Sequence, residues 1–216
     1  MSLATLLVLA DGRLPAGGHA HSGGLEAAVV AGRVRDLDDL AGFLRGRLAT
    51  AGVVAAAFAA VACARTPEWA DVDAGLDART PSPALRRASR AQGRALLRAG
   101  RAMWPSATLA GPVAPHQPVA LGLVAASAGL GAPAAAVAAA HGAVTGPASA
   151  AVRLLGLDPY GVHALLAGLA GDCDRVAADA AAHTDDPIDA LPAAGAPLLD
   201  IGAEIHAAWE VRLFAS

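Results

Sequence analysis

Two histidines, His19 and His21, stand two residues apart in a glycine-rich stretch running from Gly12 to Gly24. Neutral imidazoles in this arrangement suit Ni, Zn or Cu. Two ligands do not complete a site, and Asp11 or Glu26 can join them only if the chain folds back on itself. The same two rings serve equally well as hydrogen-bonding partners of loop carbonyls. The pairs Gly17-Gly18 and Gly23-Gly24 suggest an anion-binding loop, but their spacing is not the dinucleotide fingerprint and no strand precedes them. No G-x-S-x-G nucleophile elbow is present. The remaining histidines, His116, His141, His163, His183 and His206, are scattered, and His163 falls among apolar helical positions where a satisfied core residue is expected. No two carboxylates share an apolar context that would raise a pKa. The chain therefore reads as a non-enzyme with no cofactor.

The basic residues narrow the chemistry further. All 16 are Arg and Lys is absent. This removes a Walker A lysine, a Schiff-base lysine and a kinase lysine together. A GC-rich coding sequence accounts for the bias. Cys63 and Cys173 lie far apart and make neither a disulfide framework nor a four-ligand zinc site. Charge is uneven: residues 1–110 hold 13 Arg and 9 acids, net +4, whereas residues 111–216 hold 3 Arg and 10 acids, net −7. Arg86, Arg90, Arg94 and Arg98 recur every four residues and form one helical stripe. Such a stripe is a solvated face paired with acids of the chain's second half, a surface for an acidic protein, or a phosphate binder. The pI of about 6.1 and the lack of interleaved aromatics argue against nucleic acid.

Helices must position these groups. Of the 216 residues, 60 are alanine, the best helix former, and alanine accounts for the positive mean hydropathy of +0.47. Aromatics at 3% argue against a sheet protein. Residues 102–152 carry no Asp, Glu, Lys or Arg. Gly122, Gly129, Gly131 and Pro133 break this run, its bulk is small side chains, and no aromatic belt or basic anchor flanks it, so it reads as two or three short buried helices and not as a membrane span. Leu37, Leu40, Leu44 and Leu48 predict a helix capped by Asp36, with Gly52 separating it from a second helix through Val61. Ser82-Pro83 opens a helix to about Met103, and Asp158-Pro159 opens another. Leu198, Ile201, Ile205 and Trp209 share one face of a last helix from about Pro197 to Trp209. Gly12–Gly24 and Thr184–Gly195 read as loops. The start MSLATLLVLADGR lacks a basic n-region, which predicts a cytoplasmic protein. The sum is one all-α domain.

Four segments carry a family resemblance. Leu9 to Ala28, LADGRLPAGGHAHSGGLEAA, resembles the opening signature of the urease accessory protein UreF family, L-A-D-S-x-L-P-x-G-G/S-F-S/T-H-S-x-G-L-E. Arg87 to Arg94, RASRAQGR, resembles that family's R-x-x-S-x-x-x-G helix through the spacing of Ser89 and Gly93, and His116 to Gly122 resembles the start of its central helix. His206 with Arg212-Leu213-Phe214-Ala215-Ser216 resembles its closing H-x-x-x-x-x-R-L-F-x-S. His19 replaces the usual aromatic, and Leu157-Asp158-Pro159 stands where the family often has a glutamine after the arginine matched by Arg153, so that glutamine's role is not transferred.

The resemblance implies a single UreF-like bundle of about eight to ten helices over residues 1–216, with 196–216 as C-terminal helix and partner-docking tail. It implies a dimeric, non-enzymatic scaffold that binds UreD (UreH in some organisms) and recruits the GTPase UreG for GTP-dependent nickel insertion into apo-urease, with modulation of that GTPase as a further role. It places partner contacts at His21, Ser22, Glu26, Arg87, Ser89, Gly93, Arg153, His206, Arg212, Leu213 and Phe214. Leu213 and Phe214, at a chain end and beside Arg212, suggest an exposed hot spot. Two alternatives stand beside this reading: a nickel-binding metallochaperone using His19 and His21, and an arginine-striped nucleic-acid binder.

Overall fold

Alanine sets the spacing of the interior. In the computed structural model, which describes residues Ser2–Ser216, α4 (Val53–Ala64) and α7 (Gln117–Ser127) meet at Gly122. A Cβ added there would lie 2.4 Å from the Ala59 carbonyl oxygen. Ala56, Ala57, Ala59, Ala60 and Ala62 around this approach are buried. Small side chains shorten the distance between helix axes, so the alanine-rich stretches become the core. The long helices α8 (Ala132–Leu155) and α9 (Pro159–Ala182) pack against α4 and complete the centre.

Around this centre lie α1 (Leu3–Leu9), α2 (Leu25–Val30), α3 (Leu37–Arg47), α5 (Trp69–Ala78), α6 (Pro83–Met103) and α10 (Pro197–Ala207). No strand occurs among the described residues. The all-α bundle expected from composition is what the chain forms. Local signals set several boundaries. Asp36 accepts from the Asp39 N–H at 2.9 Å and Ser82 from the Leu85 N–H at 3.1 Å. Asp158 accepts from the N–H groups of Tyr160 and Gly161, and Pro83 and Pro159 occupy the first helical positions.

Three expectations are corrected. Gly52 does not separate two helices, because α3 runs into α4 through a π turn at Leu48–Gly52. That widened turn leaves Gly52 within 3.3 Å of the Arg47 carbonyl, measured from an added Cβ, so a small residue fits there. The uncharged stretch does not yield only short helices. Gly129, at φ +74°, turns the chain after α7, and α8 then continues for 24 residues straight through Pro147. A proline inside a helix leaves the carbonyl four residues earlier without its donor. Here that carbonyl belongs to Ala143, and Arg47 Nε donates to it at 2.9 Å. Finally, Leu198, Ile201 and Ile205 share a face of α10 as their spacing predicts, but the face points outward, at 63%, 56% and 54% exposure. Gly202, Ala203 and His206 form its inner side, and the helix ends at Ala207, before Trp209.

Leu37–Ala64 and Ala132–Leu155 are long and apolar enough to cross a membrane, yet the most apolar stretch of each is 61% and 56% buried inside the bundle.

Candidate functional site

The opening loop and the C-terminal tail meet around one carboxylate. Gly23 and Gly24 adopt positive φ of +63° and +89°, a conformation that costs glycine little, and turn the loop into α2. Glu26, in the first turn of α2, is 6% exposed. Its Oε1 accepts from the Leu213 N–H at 2.8 Å, and its Oε2 accepts from the Phe214 N–H at 3.0 Å and from His206 Nε2 at 2.8 Å. An ionised carboxylate only accepts, so His206 carries its hydrogen on Nε2. Burial pushes the Glu26 carboxyl up, but the bonds from His206, Leu213 and Phe214 outweigh it and hold the group below its ordinary value.

Further bonds close the clasp. Ser22 donates twice to the Ser216 main-chain oxygen, from its N–H at 2.6 Å and its Oγ at 2.9 Å. The Ala215 N–H donates to the Ala20 carbonyl at 2.7 Å, and His21 Nδ1 is hydrogen-bonded to Ser216 Oγ at 2.7 Å. Arg153, from the end of α8, sets its guanidinium 4.7 Å from the centre of the Phe214 ring. Phe214 is thus a buried member of the core and not the exposed anchor its position suggests, because its ring packs under Arg153 while its amide is held by Glu26. Val211, Arg212 and Leu213 stay outside, with Val211 at 89% and Leu213 at 53% exposure. The clasp is a holding device: its buried donors and acceptors are used on one another.

A second group of motif residues has a different task. Ser89 Oγ accepts from the Gln117 N–H at 3.0 Å, and a Cβ on Gly93 would lie 2.0 Å from the Pro115 carbonyl oxygen. One turn away, Arg90 spans Asp73 at 2.9 Å and Asp77 at 2.7 Å and donates to the Ala114 carbonyl. Asp73 accepts from the His116 N–H at 2.6 Å, and His116 Nε2 donates to Asp77 at 3.0 Å. Burial pushes the His116 ring down, whereas Arg90 and then His116 hold Asp77 below its usual range. These residues fix the start of α7 against α5 and α6. Arg87 alone among Arg87, Ser89 and Gly93 is exposed. Asp73 and Asp77 escaped attention in the sequence, although their i, i+4 spacing on one helix was the available signal.

Other candidates separate. Arg90 finds its acids in the chain's first half, not its second, and Arg86 bonds the Thr80 and Pro81 carbonyls, while Arg94 and Arg98 face water. His163 is exposed and bonded to the Pro159 carbonyl of its own helix, so it is not a core histidine. His19 is exposed, His21 is engaged with Ser216, and no three His, Cys, Asp or Glu residues gather in a metal-holding group among the described residues. Cys63 and Cys173 are buried free thiols, and burial pushes Cys63 up to about 11, away from a reactive thiolate.

The family model described as UreF matches residues 34–170. The chain belongs to the UreF family. A urease accessory protein UreF of Mycobacterium sp. (strain JLS) is 50% identical over 217 residues, covering 100% of this chain and 99% of that relative. That of Mycolicibacterium vanbaalenii is 46% identical, again over 100% of this chain and 99% of its own length. That of Mycobacterium tuberculosis (strain H37Rv) is 43% identical over 95% of this chain and 94% of its own length. Glu26, His206 and the tail lie outside the segment matched by the UreF model and Arg153 lies within it, and all of them fall inside the span of the two full-length UreF relatives. The UreF-like opening and closing motifs, 180 residues apart at Glu26 and His206, are the two halves of this one structure.

Proposed function

We propose that this UreF-family chain is a urease accessory protein, a non-enzymatic cytoplasmic scaffold that pairs with UreD/UreH and recruits the GTPase UreG for GTP-dependent nickel insertion into apo-urease. The observation that carries the reading is the clasp: Glu26 fixes the tail so that Val211, Arg212 and Leu213 stand outward beside a buried Phe214. A tail ordered before it meets a partner loses less freedom on binding. An exposed arginine is suitable anchor chemistry for a protein surface, and Leu213 adds apolar area beside it. In this reading residues 196–216 face UreD/UreH. His21 and Arg153, on the loop side of the clasp, face UreG or the second copy of a homodimer, and Arg87 extends the contact. Ser22, Glu26, Ser89, Gly93, His206 and Phe214 act as positioning residues beneath that surface. Nickel is cargo, and modulation of the GTPase is a consequence of how UreG is held. The names of the full-length relatives, urease accessory protein UreF, support the same role.

The test is co-purification of the native chain and of an R212A/L213A variant with UreD/UreH and UreG. The expected result is a ternary complex with the native chain and at least tenfold weaker UreD/UreH binding by the variant. Equal affinity of the two, with the variant folded, removes the tail as the partner surface.

A further inference from the structure

A groove of about 590 Å³ runs between α3, the α2–α3 turn and the start of α10. Its size is that of a ligand pocket. Ala28, Val34, Phe43, Leu198 and Leu199 give it apolar walls. Its charged lining is unbalanced at one point. Asp39 is bonded to Arg35, and Arg33 and Asp38 are exposed to water. Arg47, also in the lining, is half-buried and makes no ion pair among the described residues. Its Nε and Nη1 are used on the carbonyls of Ala143 and Gly23, while Nη2 takes no protein acceptor among the described residues. Loss of water lowers the guanidinium to about 10. A half-buried guanidinium whose Nη2 stays open to solvent and has no anion beside it is the complement of a carboxylate.

The walls indicate the size of the occupant. Leu198 lines the groove and is still 63% exposed, and Ile201 and Ile205 continue its face along α10 beyond the groove. The apolar surface therefore extends past the cavity, as it does where a peptide chain and not a small molecule is bound. We infer that this groove receives a segment of a partner protein that presents apolar side chains to Phe43, Leu198 and Leu199 and one carboxylate to Arg47. The inference deepens the proposed partner role of residues 196–216, to which Leu198 and Leu199 belong, and its peptide test uses neither UreD/UreH nor UreG, so the two readings fail separately.

The test is selection of a displayed library of random short peptides on the native full chain, with counter-selection on Gly46→Leu. Gly46 lines the groove on α3 and has nothing within 4 Å of an added Cβ, so a leucine there obstructs the groove without entering the core. Arg47→Met is a poorer test by itself, since Arg47 also holds two backbone carbonyls. The expected result is a set of peptides pairing apolar residues with an Asp or Glu, bound by the native chain and not by Gly46→Leu. Replacing that carboxylate by its amide in a synthetic copy weakens binding about tenfold. A selection that does not distinguish native from Gly46→Leu overturns the inference, as does an amide peptide that binds equally well. Dodecanoate provides the small-molecule arm, and binding of dodecanoate with no peptide retained overturns the peptide occupant.

Discussion

His206 donates from Nε2 to the Glu26 carboxylate at 2.8 Å across 180 residues of sequence, and the same carboxylate holds the amides of Leu213 and Phe214. Glu26→Gln tests how much depends on it. The amide group of Gln turns a donor toward a site that contains only donors, so at least one of the three bonds is lost. The expected cost is about 2 kcal/mol, as for a hydrogen-bonded buried charge, measured by urea unfolding. Hydrogen exchange at the Leu213 and Phe214 amides should accelerate while the α4 amides stay protected. Unchanged exchange at the tail would refute the clasp.

The clasp is also acid-labile. The Glu26 carboxyl titrates below its unfolded value in the folded chain. A depressed acid contributes stability that is complete above the unfolded value, about 4.3, and that is lost as pH falls from there through the folded value. The tail should therefore open in acid before the α4–α7 core does. Carboxypeptidase digestion across a pH series reads this: cleavage at Phe214 should rise below about pH 4 in the native chain and be present at neutral pH in Glu26→Gln. Cleavage that ignores pH in the native chain would remove the linkage.

Glycine substitutions separate close packing from open surface. Gly122→Ala places a Cβ 2.4 Å from the Ala59 carbonyl and Gly93→Ala one 2.0 Å from the Pro115 carbonyl, both against backbone. Each should cost about 3 kcal/mol, the upper end for overpacking. Gly142, in α8, is exposed and has nothing within 4 Å of an added Cβ. Gly142→Ala should stabilise by roughly 0.5–1 kcal/mol through helix propensity. Denaturation midpoints of the three variants decide it, and equal shifts in one direction would contradict the close approaches.

Arg47 and Pro147 should be coupled. Arg47→Met leaves the Ala143 carbonyl without its donor, at a cost of about 2 kcal/mol. Pro147→Ala restores the helical N–H that serves Ala143. In the Pro147→Ala background the Arg47→Met cost should fall by about 1 kcal/mol, because only the Gly23 carbonyl then loses a partner. A double-mutant cycle with no coupling would show that the helix tolerates the gap by another route.

What the sequence made legible was local. Ser82-Pro83 and Asp158-Pro159 marked helix starts because a cap and its proline act within one turn. Spacing showed that Leu198, Ile201 and Ile205 share a face, but not that the face turns outward; His163 misled for the same reason. Both halves of the clasp were visible as family motifs, yet the meeting of Glu26 with His206 is a tertiary fact that no periodicity carries. Counting charges also missed the main use of arginine. Arg79 holds the Thr184–Gly195 loop through the carbonyls of Ile188, Asp189, Leu191 and Pro192, and Arg101 holds those of Leu109 and Pro112. A guanidinium offers five donors in a fixed fork, so these arginines bind backbone where a sequence reading looks for acids.

Urease activation tests the scaffold role most directly. Apo-urease is incubated with UreD/UreH, UreG, GTP and Ni²⁺, with the native chain, with R212A/L213A, or without the chain. The scaffold role predicts activation with the native chain, at least tenfold less with R212A/L213A, and only background without it. Full activation in the absence of the chain would contradict it.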